Sequence, residues 1–270
     1  MLKKINNAKE FILSKIPATP EVGIILGTGL SNFTDYMEDK IVIPYGEIPG
    51  FVTSTAPSHA GNLVFGKIEG KNVVALQGRF HFYEGYSMED VVFPTRVLKA
   101  IGISTLIVTN ASGSLRRELA PGSIVMLKDH INFMGTNPLI GKNEDSLGYR
   151  FVSLHDTYNA KYREQIKYIG EKLHITISEG VYLAVTGPSF ETKAECQFFA
   201  NVGADLVGMS TVPEVIAAIH CGLKVIAFSV VTNYSNLYHS QEHSQEEIRE
   251  NADIAKKNLE RIIAEFLKSN

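Results

Sequence analysis

The segment VGIIL at Val22–Leu26, followed by Gly27 and Gly29, gives the clearest indication of the fold class. It is a short, continuously apolar run that ends in glycines. Such a run is typical of a buried β-strand that enters a tight turn, and strands that are apolar on both faces occur in sheets covered by helices. The segment therefore favours an α/β domain.

Similar apolar runs and helical patterns follow along the rest of the chain. Apolar, β-branched runs that indicate further strands lie at residues 63–68, 73–76, 105–109, 123–127, 181–185 and 225–231. Apolar residues recur with helical spacing at residues 1–15, 88–101, 213–220 and 248–266. The first two strand runs flank Glu69-Gly70 and predict an antiparallel hairpin. We therefore predict one α/β domain, residues 1–270, with a central sheet of mixed pairing flanked by helices.

The composition argues against several classes of function. The chain has 270 residues, and 26 Lys and Arg against 29 Asp and Glu give a net charge of 26 − 29 = −3. Nucleic-acid and membrane-surface proteins usually carry a strongly basic face, so we expect neither partner. The two cysteines, Cys196 and Cys221, are too few for a disulfide framework. No segment approaches the roughly 18 apolar residues of a membrane span, and we expect a cytoplasmic protein.

Residues suited to binding an anion follow two of the predicted strands. The glycines after the first strand let the backbone approach a ligand, and Thr28 between them adds a hydroxyl donor. After the second hairpin strand, an extended backbone would place Arg79, His81 and Tyr83 on one side. A guanidinium beside an imidazole is suited to phosphate, because both donate hydrogen bonds to its oxygens.

Other strand ends add different chemistry. The small residues at 108–114 allow backbone N–H groups to face an anion. Glu191 precedes a predicted helix, and Phe190 beside it offers a flat apolar face. Each of these features, like the isolated loop histidine His59, is equally compatible with an ordinary turn or helix start. Taken together, polar strand ends around one sheet indicate a site that combines anion donors with an apolar slot.

A set of motifs extends this interpretation over nearly the whole chain. They are Leu26–Leu30, His59–Gly61, Gln77–Tyr86, Thr109–Gly113, Gly187–Cys196, Gly203–Val215 and Thr232–Asn233. The most specific are GPSFET at 187–192 and GMSTVPEV at 208–215. In order and spacing these motifs resemble those of the trimeric purine nucleoside phosphorylase family. The resemblance implies that the central sheet is partly barrel-like.

The family resemblance also implies an activity and a set of site residues. The activity is the reversible phosphorolysis of a purine ribonucleoside by orthophosphate, which yields the free base and ribose 1-phosphate. Phosphate binding is assigned to Thr28, Arg79, His81, the backbone at Ala111 and Ser210. Sugar binding is assigned to His59, Tyr83, Met209 and, from a neighbouring subunit of a homotrimer, Phe151. Base binding is assigned to Phe190, Glu191, Thr232 and Asn233. No metal and no redox cofactor is implied.

These implied roles agree with the chemistry of the reaction. Cleavage of the glycosidic bond gives the ribose oxocarbenium character and the purine negative charge, so catalysis needs an anion beside the sugar and a donor at the base. Phosphate held by His81 supplies the anion, Asn233 donates to the N7/O6 edge of the base, and Glu191 accepts from N1–H. The related methylthioadenosine phosphorylases have an Asp at the Asn233 position. The resemblance therefore predicts inosine and guanosine, deoxy forms included, over adenosine.

Two positions depart from the family pattern. Ser112 stands where the family usually has an alanine, and it adds a hydroxyl near the phosphate and base loops. The family histidine that contacts the ribose 5′-hydroxyl aligns with Gln245, while His243 lies two residues earlier. Either residue is a candidate for that contact.

Three alternative functions are less well supported. A 5′-methylthioadenosine-type phosphorylase is disfavoured by Asn233 and by Met209-Ser210. A catalytically silent nucleoside-binding homologue is disfavoured because the set of phosphate and base residues is complete. An NAD-dependent oxidoreductase is disfavoured because Asn32 occupies the third glycine position of the dinucleotide fingerprint.

Overall fold

The computed structural model describes residues 1–56, 59–239, 241–242 and 244–270, with all of their side chains except those of Ser31 and Gln245. Nine strands are found in these residues: β1 Val22–Leu26, β2 Glu38–Pro44, β3 Asn62–Ile68, β4 Lys71–Gln77, β5 Thr105–Ser114, β6 Ile124–Asn132, β7 Ser178–Ala184, β8 Leu206–Gly208 and β9 Lys224–Tyr234. The α-helices are α1 Leu2–Lys15, α2 Met88–Ala100, α3 Ala160–Leu173, α4 Lys193–Asn201, α5 Val212–His220 and α6 Gln245–Lys268.

All of these strands belong to one mixed sheet that closes partly on itself. The strand order is β2-β3-β4-β1-β5-β8-β7-β6-β9, and β9 also pairs with β5. Strands β5, β8, β7, β6 and β9 therefore form a closed ring, while β1 to β4 extend the sheet beyond it. Strand β1 runs parallel to both β4 and β5, whereas β2, β3 and β4 pair antiparallel. The predicted fold class, α/β with a partly barrel-like sheet, is confirmed.

Alternation along β1 explains how helices cover both faces of the sheet. All five residues of β1 are buried. Ile25 belongs to a core cluster with residues of α1, α2 and α5, whereas Ile24 and Leu26 belong to a second cluster with residues of α3 and α6. Successive side chains of a strand point to opposite faces, so a continuously apolar strand needs apolar helices on both sides.

The helix at the carboxyl end shows how local signals set its bounds. The Ser244 hydroxyl caps α6 by accepting a hydrogen bond from the backbone N–H of Glu247 at 3.0 Å. Such a cap satisfies one of the N–H groups that have no partner at a helix start. Its predicted apolar face is buried, and the buried residues include Ala252, Leu259 and Ile263. No helix in the described part of the chain is long and apolar enough to cross a membrane.

The sequence predicted most elements but not all of them. The hairpin around Glu69 and Gly70 is confirmed, and both residues have positive φ, 49° and 76°, as a tight hairpin turn requires. Strands β2 and β8 and helix α3 were not predicted. Strand β8 has only three residues, which is too short for a periodic pattern, and β2 is largely exposed at the sheet edge. Both cysteines are buried.

Candidate active site

A cavity of about 340 Å³ lies where six strands of the sheet end. Its walls come from the segments that follow β1, β4 and β7, from the ends of β5, β8 and β9, and from α6. Most residues that the sequence assigned to a site line it: Thr28, Arg79, His81, Tyr83, Ala111, Phe190, Glu191, Met209, Ser210, Thr232 and Asn233. The fold thus brings the phosphate, sugar and base candidates into one cavity.

The turn after β1 comes close to β5, and glycine makes this approach possible. A Cβ at Gly27 would lie 2.7 Å from the carbonyl oxygen of Thr109 and 2.7 Å from Cα of Asn110. The backbone N–H of Gly27 donates to the Thr109 hydroxyl at 3.0 Å, and that hydroxyl donates to the carbonyl of Ile25 at 3.1 Å. Any larger residue at 27 would push β1 and β5 apart. Thr28, the next residue, lines the cavity.

Arg79 is a buried cation with a buried partner. Its Nη1 donates to Oε1 of Glu214 and to Oγ1 of Thr211, each at 3.1 Å, and its Nη2 donates to the carbonyl of Thr109. Arg79 and Glu214 are 4% and 2% exposed. A buried charge is costly unless it is paired, so the Glu214 carboxylate makes it possible to keep the guanidinium at the cavity. Among the described residues, the second carboxylate oxygen, Oε2, has no hydrogen-bond partner.

The imidazole of His81 is held by Glu84. Oε1 of this carboxylate accepts from the backbone N–H of His81 at 2.8 Å and lies 3.0 Å from its Nδ1. Oε2 accepts from the backbone N–H and the hydroxyl of Thr55 at 2.7 and 2.5 Å. Burial acts to raise the pKa of Glu84, but these hydrogen bonds outweigh it and lower the pKa to about 2. The carboxylate therefore stays ionised and orients the His81 ring through Nδ1.

Three aromatic rings are stacked at this wall of the cavity. The His81 ring lies 4.6 Å from the Tyr83 ring and 5.1 Å from the His59 ring, measured between centroids, with nearly parallel planes. Residues 82–84 form a short 3-10 turn rather than the extended backbone that we considered. Arg79, His81 and Tyr83 nevertheless line the same cavity.

His59 supports the cavity wall without lining the cavity. Its Nδ1 lies 3.1 Å from the backbone nitrogen of Arg79 and 3.0 Å from the carbonyl oxygen of the same residue. Burial, followed by the positive charges of His81 and Arg79, lowers the pKa of His59 to about 4. The ring is therefore neutral at pH 7. Its Nε2 is buried and has no hydrogen-bond partner among the described residues.

A carboxylate and an amide contribute to the cavity from the segments after β7 and β9. Burial raises the pKa of Glu191, with a further increase from Glu195 and an opposing backbone hydrogen bond. Oδ1 of Asn233 accepts from the Thr232 hydroxyl at 3.0 Å, and its Nδ2 donates to the carbonyl of Tyr234 at 2.9 Å. These two contacts set which way the Asn233 amide faces.

The remaining predicted residues have different placements. Phe151 is 91% exposed and does not line the cavity. His243 lies outside the described residues. Gln245 begins α6, and Ile248, three residues further along, lines the cavity. The start of α6 therefore lies beside the site.

Several residues that shape the site were missed by the sequence analysis. Glu84 holds His81 and Glu214 holds Arg79, which are two of the five phosphate candidates. Thr211 accepts from Arg79 and from Asn110. The position of Glu84, three residues after His81, was the local feature of the sequence that could have indicated its contact with His81. No local pattern connects Glu214 with Arg79, because 135 positions separate them. Among the described residues, no group of three or more His, Cys, Asp and Glu side chains could hold a metal ion.

Comparison with known proteins agrees with this geometry. The phosphorylase superfamily matches residues 21–268. Purine nucleoside phosphorylase 1 of Bacillus subtilis is 46% identical over 270 residues, which cover 98% of this chain and 100% of that protein. Purine nucleoside phosphorylase of Bos taurus is 43% identical over 269 residues, covering 96% of this chain and 92% of that one.

A solved structure extends the similarity to the fold. The structure of Schistosoma mansoni purine nucleoside phosphorylase in complex with inosine superposes with a TM-score of 0.94 at 38% identity. The match covers 100% of this chain and 97% of that one. Sequence and structure therefore agree over the full length, including the segments that line the cavity. The chain belongs to the phosphorylase superfamily and, within it, to the purine nucleoside phosphorylases.

Proposed function

We propose that the protein catalyses the reversible phosphorolysis of 6-oxopurine nucleosides, inosine and guanosine with their deoxy forms, by orthophosphate. The products are the free base and ribose 1-phosphate or its deoxy form, a reaction of purine salvage. One observation carries the proposal: a single cavity is lined by the anion donors Arg79 and His81 and by the base-binding pair Glu191 and Asn233. Relatives that match 98% and 96% of the chain are named purine nucleoside phosphorylases.

Each cavity residue has a defined task in this reaction. An oxygen of phosphate forms a bond to C1′ of the ribose while the bond from C1′ to N9 of the purine breaks. Arg79, His81, Thr28, Ser210 and the backbone N–H of Ala111 hold the phosphate, whose negative charge stabilises the oxocarbenium character of the sugar. The ion pair with Glu214 keeps Arg79 in place before phosphate arrives, so no reorganisation is needed at the moment of reaction.

The base-binding residues stabilise the leaving purine. Asn233 donates to the N7/O6 edge, where negative charge develops, and Glu191 accepts from N1–H. Phe190 and Thr232 complete the base pocket, and losing one donor of this kind typically costs about 3 kcal/mol of transition-state stabilisation. Because an amide donates to a 6-oxo group, Asn233 favours inosine and guanosine over adenosine.

The sugar-binding residues and the assembly belong to the same proposal. Tyr83 and Met209 contact the ribose, and His243 or Gln245 contacts the 5′-hydroxyl. His59, the other predicted sugar residue, stacks on the His81 ring at the same wall. Phe151 of a neighbouring subunit in a homotrimer closes the sugar site, and its 91% exposed side chain is available for that contact. The protein acts in the cytoplasm, as one domain of residues 1–270, with orthophosphate as cosubstrate and without a metal or redox cofactor.

Inosine cleavage with and without phosphate tests the proposal. We expect hypoxanthine to be released only when phosphate is present, and methylthioadenosine to be a poor substrate. Arg79→Gln should raise KM for phosphate by at least tenfold, whereas Arg261→Gln, an exposed arginine of α6, should leave it unchanged. An absence of phosphate-dependent cleavage would refute the proposed activity, and faster cleavage of methylthioadenosine than of inosine would indicate the alternative phosphorylase.

A further inference from the structure

A series of buried polar side chains runs from the β5–β9 pair to the cavity. Its members are at most 3% exposed, apart from Ser210 at its end, and they follow one another in the order Ser112, Ser229, Asn110, Thr211 and Ser210. Oγ of Ser229 lies 2.6 Å from Oγ of Ser112 and 2.6 Å from Oδ1 of Asn110. Nδ2 of Asn110 lies 2.8 Å from Oγ1 of Thr211, which lies 3.2 Å from Oγ of Ser210. These contacts form a continuous hydrogen-bonded series.

The direction of the hydrogen bonds follows from counting hydrogens at Thr211. A hydroxyl oxygen has two lone pairs and one hydrogen. Both lone pairs of Thr211 are used, because Oγ1 accepts from Nη1 of Arg79 at 3.1 Å and from Nδ2 of Asn110. The Thr211 hydrogen must therefore point to Oγ of Ser210. Ser210 then accepts from Thr211 and does not give its hydrogen to it. The Ser210 side chain also contacts the Tyr182 hydroxyl, which is a weaker acceptor than an anion, so the Ser210 hydrogen goes to an anion when one is in the cavity.

The same counting applies at the other end of the series. Ser229 has one hydrogen but two oxygen neighbours at 2.6 Å, and a buried contact this short between two oxygens needs a hydrogen between them. Since Oδ1 of Asn110 has no hydrogen to give, Ser229 must donate to Asn110. Ser112 must then donate to Ser229. Every hydrogen in the series therefore points towards the cavity.

We infer that this series fixes the Ser210 hydroxyl as a hydrogen-bond donor to the bound anion, with Ser229, Asn110 and Thr211 as positioning residues and Ser112 as a donor at the far end of the series. The inference rests on the proposed function, in which Ser210 contacts phosphate. A phosphate dianion is chiefly an acceptor, so a hydroxyl that could turn its hydrogen elsewhere would bind it less well. The series prevents the Ser210 hydrogen from turning to Thr211 before phosphate enters the site.

Ser112 gives this series its first donor. The family usually has an alanine here, which would leave Ser229 with no donor at this position. In this chain Oγ of Ser112 lies 2.6 Å from Oγ of Ser229, and because the Ser229 hydrogen is used by Asn110, the counting assigns this contact to the Ser112 hydrogen; linked hydrogen bonds polarise and strengthen one another. The carbonyl oxygen of Ser112 lies 3.3 Å from Oγ1 of Thr232, so the series begins next to the base-binding residues.

Replacing Asn110, whose amide lies at the centre of the series, with aspartate tests the direction of the hydrogen bonds. In Asn110→Asp both side-chain oxygens are acceptors, so Thr211 must donate to residue 110 and accept from Ser210. Ser210 then has no hydrogen left for the anion. The informative measurement is the effect of Ser210→Ala on the phosphate Kd, determined by calorimetry, in the wild type and in Asn110→Asp. The charge added at residue 110 is present in both arms of this comparison and cancels.

The expected results differ strongly between the two backgrounds. Ser210→Ala should weaken phosphate binding about 10- to 100-fold in the wild type, as expected for one hydrogen bond to a charged group. In Asn110→Asp the same change should have an effect below about threefold. The inference would be overturned if Ser210→Ala changed the phosphate Kd by the same factor in the wild type and in Asn110→Asp, or if it had no effect in the wild type.

Two further variants keep the test decisive. If Asn110→Asp does not fold, Ser229→Ala replaces it, because the Asn110 oxygen then loses its donor and the Ser210→Ala factor should fall at least threefold. Ser112→Ala is the matched control, since Ser229 can still donate to Asn110, and the factor should stay within threefold of the wild type. The direction of the series would be contradicted if Ser210→Ala weakened phosphate binding as strongly in Ser229→Ala as in the wild type. It would also be contradicted if Ser210→Ala had no effect in Ser112→Ala. Phosphate binding without inosine cleavage would refute the proposed activity and leave this test intact.

Discussion

Replacing Glu84 with glutamine tests how the protein presents His81 to phosphate. The carboxylate has four donors around it: the backbone N–H and Nδ1 of His81 on one oxygen, and the backbone N–H and hydroxyl of Thr55 on the other. A glutamine of the same shape has one acceptor oxygen and one amide nitrogen, which is a donor. Whichever way the amide turns, its nitrogen faces two other donors.

The size of the effect follows from these contacts. Glu84→Gln removes two hydrogen bonds to an ionised acceptor, each worth about 1.5–3 kcal/mol. If the His81 ring is no longer held, phosphate loses one charge-assisted hydrogen bond, which corresponds to about a 10- to 100-fold increase in KM for phosphate. KM for inosine should change less, because Glu84 does not line the cavity.

Steady-state kinetics with varied phosphate and saturating inosine measures this effect. Glu89→Gln is the matched control, because it removes the same charge from an exposed position five residues away. The melting temperature of each variant separates loss of folding from loss of phosphate binding. A phosphate KM within twofold of the wild type in folded Glu84→Gln would refute the view that this carboxylate orients His81.

Three further outcomes are expected. Asn233→Asp should lower kcat/KM for inosine about 100-fold and shift preference towards adenosine, measured with both substrates; a variant that still prefers inosine contradicts the role of the amide. Phe151→Ala should raise KM for inosine at an unchanged melting temperature if the neighbouring subunit completes the sugar site, and unchanged kinetics would count against that assembly. The pKa of His59 is lowered to about 4 in the folded protein. As pH falls below about 6.5, His59 of the unfolded chain is therefore protonated while His59 of the folded protein is still neutral. The free energy of unfolding should therefore decrease between pH 6.5 and 4, by up to about 3 kcal/mol, and urea titrations of His59→Gln should show a smaller decrease.

Most of the fold could be predicted because its signals are local. The apolar run of β1, the glycine turn between β3 and β4 and the apolar stripe of α6 are each visible within one segment of sequence. Strand β8 could not be predicted, because its three residues become a strand only through pairing with β5 and β7. The closure of the barrel likewise depends on pairing between distant strands, and only the family resemblance indicated it.

The candidate site likewise contains residues that the sequence predicted and partners that it did not. Sequence was enough to name the residues whose own chemistry suits an anion or a purine, such as Arg79, His81, Glu191 and Asn233, and these line one cavity. Only the tertiary structure revealed what holds them. Glu214 reaches Arg79 across 135 positions, and Ser229 reaches Ser112 across 117. The physical reason is that side-chain chemistry and hydrophobic period belong to single segments, whereas burial and hydrogen-bond partners arise only when distant strand ends meet.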